Sequence, residues 1–302
     1  MTDTKPDIPF KSPAVPAALR GDHRFRFDCR PGISCFNACC RQADVTLAPY
    51  DILRLARRFG LTSAEFIRKY AVPFQLDQDG LPGLKLKTDD AGTCLHMDEE
   101  KGCTVYSDRP SVCRYYPLGL LSLREKDTPR AEQHYSLIKE DICKGHEEAR
   151  EQTIDAYRSA QGLPEYDAHN QGWYELILKK KSAGPTVGKP PMTSLQLFFL
   201  ACYDLDNFRR FVLSPQFQEN YVLDPELKEH LERDDEALLE FAYRFLRQVL
   251  FGEKTLRERE GAWERRVEQR KELWQAQVEM ERARRAKAED EKYQERSCSC
   301  DE

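Results

Sequence analysis

Residues 27–40 read FDCRPGISCFNACC, and residues 94–117 read CLHMDEEKGCTVYSDRPSVCRYYP. The first stretch is Cys29-x5-Cys35-x3-Cys39-Cys40, four thiols within twelve residues. The second carries Cys94-x8-Cys103-x9-Cys113, and Cys143 follows after x29. An isolated cysteine such as Cys202 reads as a small core hydrophobe. Four in one short loop do not pack that way, whereas deprotonated thiols are strong, soft metal ligands. None of the spacings is the short CxxC knuckle of zinc ribbons or the CxxCxxCxxxCP run of ferredoxins. Wide spacing means ligands from different elements that converge only on folding, so binding free energy becomes folding free energy. Adjacent Cys39 and Cys40 have diverging Cβ vectors, which suits two sites or two atoms of a cluster better than one mononuclear ion.

Outward from these stretches, the chain of 302 residues has 33% charged and 40% hydrophobic side chains, room for about two ordinary domains. Lys plus Arg number 47 against 52 for Asp plus Glu, a net charge of −5, which argues against a dedicated nucleic-acid binder. No apolar run approaches the ~20 residues of a membrane span, and the N-terminal residues lack the pattern of a secretory signal. The reading is a cytoplasmic protein without membrane contact. Eleven cysteines in a reducing compartment are then not a disulfide framework.

The expected fold is α+β and α-rich. Residues 1–22, with Pro6, Pro9, Pro13 and Pro16, form a flexible lead-in. Residues 23–150 form the cysteine-cluster domain. Within it Pro49 and Gly60 bracket a helix with an Ile52, Leu55, Ala56, Phe59 face, and a Thr62/Glu65 capping box starts a second helix. The pieces GLKLKT, TCLHM and CTVYS predict a short strand meander carrying Cys94 and Cys103. A connecting segment and linker span 151–192, a helical domain 193–252, a long charged helix 253–296 with pairs such as Glu253/Arg257, and a CxC tail 297–302.

Taken in order, FDCRPGISCFNACC, VTLAPYDILRLARRFG, EFIRKY, LKLK, CLHMDEEKGCTVYSDRPSVCRYYPLG and the trailing Cys143 resemble the bacterial YkgJ-like family of CxxCxxCC zinc- or iron-chelating domains. The resemblance covers about residues 25–147, and its most specific phrase is Arg109, Pro110, Cys113, Arg114, Tyr116 and Pro117. The x5 and x3 spacings of the first cluster are longer than the family name implies. The family implies metal binding, with iron-sulfur and zinc both proposed, and it includes proteins similar to flagellin lysine N-methylases. The glycine loops of nucleotide sites are absent.

The metal-ligand set is Cys29, Cys35, Cys39, Cys40, Cys94, Cys103, Cys113 and Cys143. The cofactor reading is an iron-sulfur cluster, since scattered ligands suit a polynuclear centre, with zinc as the alternative. The function expected is electron transfer or an accessory metal module. The alternatives are a lysine N-methyltransferase-like enzyme and a structural zinc module that presents its C-terminal helix to a protein partner. His96 and His146 are candidate extra ligands. Arg109 and Arg114 either balance the charge of a cluster or brace loops by pairing with Asp98, Glu99, Glu100 or Asp108. Tyr106, Tyr115 and Tyr116 read as packing beside the site. Trp263, Val267, Trp274 and Val278 offer a helix-contact stripe, and Cys298/Cys300 a metal-transfer or bystander pair.

Overall fold

The computed structural model describes Ala14, residues 18–123, 132–182 and 190–268, and positions 271, 279 and 280. The chain order is β1 (Arg24–Arg26), β2 (Thr46–Leu47), α1 (Pro49–Phe59), α2 (Ser63–Tyr70), β3 (Ala71–Gln75), β4 (Pro82–Leu86), β5 (Met97–Asp98) and β6 (Gly102–Cys103). There follow α3 (Ser111–Tyr115), β7 (Leu118–Leu123), β8 (Glu132–Leu137), β9 (Glu151–Thr153), α4 (Ile154–Ala160) and α5 (Leu163–Ser182). Last come α6 (Met192–Tyr203), α7 (Leu205–Val212), α8 (Pro215–Gln218), α9 (Pro225–Arg233) and α10 (Asp235–Phe251). Helix outweighs strand, as an α-rich α+β chain requires.

The helix signals act where the sequence places them. Pro49 stands in the first turn of α1, and Gly60 ends it at φ 62°, a left-handed conformation glycine adopts without strain. Thr62 and Glu65 form the reciprocal capping box of α2. Asp234 accepts from the Ala237 N–H to cap α10, and Gly252 closes that helix at φ 68°.

Two compact units result, the first comprising residues 1–210 with 229–255 and the second 211–228 with 256–302. In the first, α6 and α10 pack on each other; α10 also packs on α5 and α1, and α6 on α1 and β4. Within residues 193–252, α6 and α10 therefore supply helices to the core of the cysteine region, while 211–228 belong to the second unit. Gly172 shows how close α5 approaches α10, since a Cβ there would lie 2.4 Å from the Tyr243 ring. A second core gathers Phe25, Phe27, Tyr115, Leu118, Tyr135, Leu137, Ile154, Tyr157 and Leu163, with Cys143 packed against it. In the second unit, Phe217 packs on Phe211 and Tyr221, and Tyr221 pairs in a β-bridge with Glu258.

Three expectations give way. The meander forms only in outline: Thr88 bridges Cys94 and Met97 pairs with Cys103, but β4 is the centre of a separate sheet with β2 and β3. Only the first piece, GLKLKT, forms a full strand, and its partners β2 and β3 lie earlier in the chain; residues 104–108 form a turn and a 3-10 helix instead of a strand. Residues 151–192, read as connection, hold β9, α4 and the 20-residue α5. Asn170 and Gly172 interrupt the apolar run of α5, although Leu163, Tyr166, Trp173 and Leu176 are buried at helical spacing. Finally, 253–261 is not helical, because Gly252 and Gly261 take positive φ and Glu253 pairs with Lys179 instead of Arg257. Helix resumes at 262–268; the remainder of the charged stretch is largely outside the described residues, as are most of the lead-in, positions 183–189 of the linker, Trp274, Val278, Cys298 and Cys300.

Candidate metal centre

The eight cysteines stand on five segments that backbone hydrogen bonds draw together. Cys39 and Cys40 lie in a single 3-10 turn, Ala38–Cys40, entered through Asn37 at φ 65°. The Asn37 amide donates to the Asp98 carbonyl at 3.3 Å, and the Cys94 N–H donates to the Cys40 carbonyl at 2.8 Å. Cys103 is on β6 behind Gly102, where φ is 77° and a Cβ would strike the Phe36 ring at 2.8 Å, so both backbone and space demand glycine. Cys113 is the third residue of α3. On the other side, the Asp28 N–H donates to the Gly145 carbonyl at 3.1 Å, joining the Cys29 and Cys143 loops, and the Lys144 N–H donates to Cys35 Sγ at 3.1 Å.

Mutual electrostatics divides the thiols. Burial, then Cys39, Cys35 and Cys143, and finally Asp28 push Cys29 up to about 11. Burial first, then Cys94, Cys103, Cys39 and Asp51, raises Cys113. Cys40 is raised by its hydrogen bond with Cys39, then by burial and by Cys39, Cys94 and Cys113. One neighbourhood thus contains Cys29, Cys35 and Cys143, the other Cys40, Cys94, Cys103 and Cys113. Cys39 is felt by both. Its sulfur lies 4.0 Å from that of Cys40, and this hydrogen bond lowers it to about 7 against burial and the Glu140 carboxylate.

As the side chains stand, no three His, Cys, Asp or Glu groups among the described residues meet closely enough to hold a metal ion. The donor chemistry nevertheless fits one. Backbone N–H groups of Lys144, His96 and Val105 are aimed at the sulfurs of Cys35, Cys94 and Cys103, the kind of bond that stabilises and tunes metal-bound thiolates. A step in χ1 swings a cysteine sulfur by a few ångströms without moving the backbone.

The accessory residues resolve unevenly. His146 Nε2 donates to the Ile138 carbonyl at 2.9 Å and its ring packs on Phe27, which uses that nitrogen for the fold. His96 is buried with its ring on Phe59 and Tyr70; its Nε2 has no partner, and burial, with Arg58, lowers its pKa. Arg109 and Arg114 brace loops, but through other partners than the acids expected. Arg109 donates to the Tyr106 carbonyl and Gln161, and Arg114 to the carbonyls of Arg109, Gln161 and Ser107 and to the Tyr166 hydroxyl. Tyr115 and Tyr116 pack in or against the second core, whereas Tyr106 is 59% exposed. Cys202 is fully buried.

Two charged residues escaped the sequence reading. Arg58, at the end of α1, donates to the Thr104 carbonyl at 2.7 Å and, with Arg109, favours the Cys103 thiolate, although burial keeps that thiol raised overall. Glu140 faces Cys39. Neither carries a local spacing signal, because each reaches its cysteine only through the tertiary fold.

No helix among the described residues is long and apolar enough to cross a membrane. Searches of curated proteins and of solved structures give no match. Residues 28–171 match the family model described as "CxxCxxCC: Putative zinc- or iron-chelating domain", a span that takes in all eight clustered cysteines and runs on into α5. Over this segment, just under half of the chain, the protein is similar to the CxxCxxCC zinc- or iron-chelating domains.

Proposed function

We propose that residues 28–171 hold iron-sulfur, as two clusters or as one cluster with spare thiols, through ligands drawn from Cys29, Cys35, Cys39, Cys40, Cys94, Cys103, Cys113 and Cys143, and that the domain serves electron transfer or acts as an accessory metal module. What supports this reading is that hydrogen bonds join the cysteine-bearing segments, Cys94 to Cys40, Asp28 to Gly145 and Lys144 to Cys35, with Cys39 at 4.0 Å from Cys40 and acting electrostatically on both Cys29 and Cys113. A thiolate common to both suits a polynuclear centre, whose several metal atoms accept ligands from different directions. Bound there, the cluster would supply one-electron chemistry. The chain would supply the thiolates, the N–H groups on Cys35, Cys94 and Cys103, and the nearby guanidinium groups of Arg58 and Arg109. Zinc is the second reading, because Cys40, Cys94, Cys103 and Cys113 alone make the four-thiol closed set that structural zinc takes.

Metal content of three single variants tests the ligand set. Cys39→Ser and Cys113→Ser are expected to lose metal, and Cys202→Ser to keep it. Equal metal in all three refutes the assignment.

A further inference from the structure

Asp51 lies in the first turn of α1 and is 0% exposed. It is bonded to no thiol, yet it fixes the element that carries one. Its Oδ2 accepts from the Ala48 N–H at 2.8 Å, tying the carboxylate to the start of its own helix. Its Oδ1 accepts both donors of Ser111, the N–H at 2.9 Å and the hydroxyl at 2.6 Å. Ser111 opens α3, and Cys113 is two residues further on. Asn170 of α5 completes the frame: its amide donates to Ser111 Oγ at 3.3 Å, and its carbonyl oxygen accepts from the Tyr50 N–H at 3.1 Å. Asp51, Ser111 and Asn170 are each at most 2% exposed, so the three polar groups have only one another and the backbone to satisfy them.

A five-residue helix has almost no stability of its own. The position of α3, and with it the direction of the Cys113 sulfur, is set by what holds the residues on either side of that cysteine: Arg114 and Tyr115 after it, and Ser111, held by Asp51, before it. Only an ionised carboxylate accepts on both sides at once. An asparagine would turn an amide N–H toward either the Ala48 N–H or the Ser111 donors. We infer that Asp51, acting through Ser111, is a positioning residue that places Cys113 among Cys40, Cys94 and Cys103. The inference rests on the metal-holding reading of those thiols.

The test is cobalt(II) titration of the metal-free full chain under anaerobic conditions, following the thiolate-to-cobalt charge-transfer band. Wild type, Asp51→Asn, Ser111→Ala and Ser111→Thr are compared, with far-UV circular dichroism as the folding control. Loss of an outer-shell partner lowers metal affinity about 10–100-fold. Asp51→Asn and Ser111→Ala are expected to weaken cobalt binding within that range and to reduce the thiolate band with helix content unchanged, while Ser111→Thr, which keeps the hydroxyl, restores both. Should Asp51→Asn not fold, the Ser111 pair decides alone. A folded Asp51→Asn, or a Ser111→Ala, that matches wild type in stoichiometry, affinity and spectrum overturns the positioning role while leaving metal binding intact. A wild-type chain that takes up no cobalt and purifies without iron or zinc overturns the metal reading itself, and the inference with it.

Discussion

Replacing Arg114 by lysine keeps the charge beside Cys113 and removes only the shape of the guanidinium. Arg114 is 6% exposed. Its Nε donates to the Arg109 carbonyl at 2.9 Å, Nη1 to the Gln161 carbonyl at 2.6 Å, and Nη2 to the Ser107 carbonyl and to the Tyr166 hydroxyl at 2.9 Å. The guanidinium lies 4.0 Å from the Tyr166 ring centroid. A lysine ammonium is a point donor and cannot span three carbonyls held at different angles. At least two lose their partner, at about 1.5 kcal/mol each, toward the low end for charged hydrogen bonds because the bonds to the Gln161 and Ser107 carbonyls are only partly buried. The lost ring contact adds about 0.5–1 kcal/mol. Arg114→Lys is therefore expected to destabilise the metal-free chain by about 3–4 kcal/mol. At a urea m-value of about 3 kcal/mol/M, the midpoint falls by about 1 M. Urea unfolding followed by far-UV circular dichroism reads this directly, with Arg114→Gln as the companion that also removes the charge. A loss below about 1 kcal/mol for the lysine variant, with a large loss for the glutamine variant, would refute the bracing argument and return Arg114 to a purely electrostatic role.

Other consequences are open to simpler checks. Asp108 is held below the usual carboxylate range: burial alone would raise it, but the Ser107 hydroxyl, Arg54 and Arg58 outweigh burial. A carboxylate depressed in the fold stabilises above its unfolded value of 3.8 and loses that contribution as pH falls through its lower folded value. Asp108→Asn should thus destabilise the metal-free chain at pH 7 and converge on wild type near pH 2; a pH-independent difference would show that the ion pairs are not the source. Gly172→Ala should cost about 1–3 kcal/mol by overpacking Tyr243, and an unchanged melting temperature would show that α5 and α10 are not in close contact. Burial raises the Cys202 thiol well above its ordinary value, so a thiol reagent should modify Cys39, exposed and lowered to about 7, in the native metal-free chain and reach Cys202 only on unfolding. Rapid native labelling of Cys202 would contradict its place in the core.

Local signals made the local structure legible. Pro49, Gly60 and the Thr62/Glu65 pair bound α1 and α2 because caps act within one turn. The cysteines declared themselves by density, and the family match covers the segment in which they lie. Their grouping was not legible, since Cys143 meets Cys29 through the contact between the Asp28 and Gly145 backbones, far apart in sequence. The same holds for Asp51, whose partner Ser111 lies sixty residues away and whose aspartate in a first helical turn reads as an ordinary dipole-compensating acid. The 253–261 stretch deceived in the opposite direction. Its charge spacing is helical, but Gly252 and Gly261 take conformations that stop a helix, and no i,i+4 ion pair overcomes that.

The central claim is that the eight thiols hold iron and sulfide. Anaerobic purification of the full chain, followed by iron, zinc and acid-labile sulfide analysis with a visible spectrum, tests it most directly. The account predicts a brown protein with iron and sulfide in similar amounts and a broad thiolate-to-iron absorption that Cys39→Ser abolishes. A colourless protein with stoichiometric zinc would contradict the iron-sulfur assignment, and a protein free of both metals would contradict the metal centre altogether.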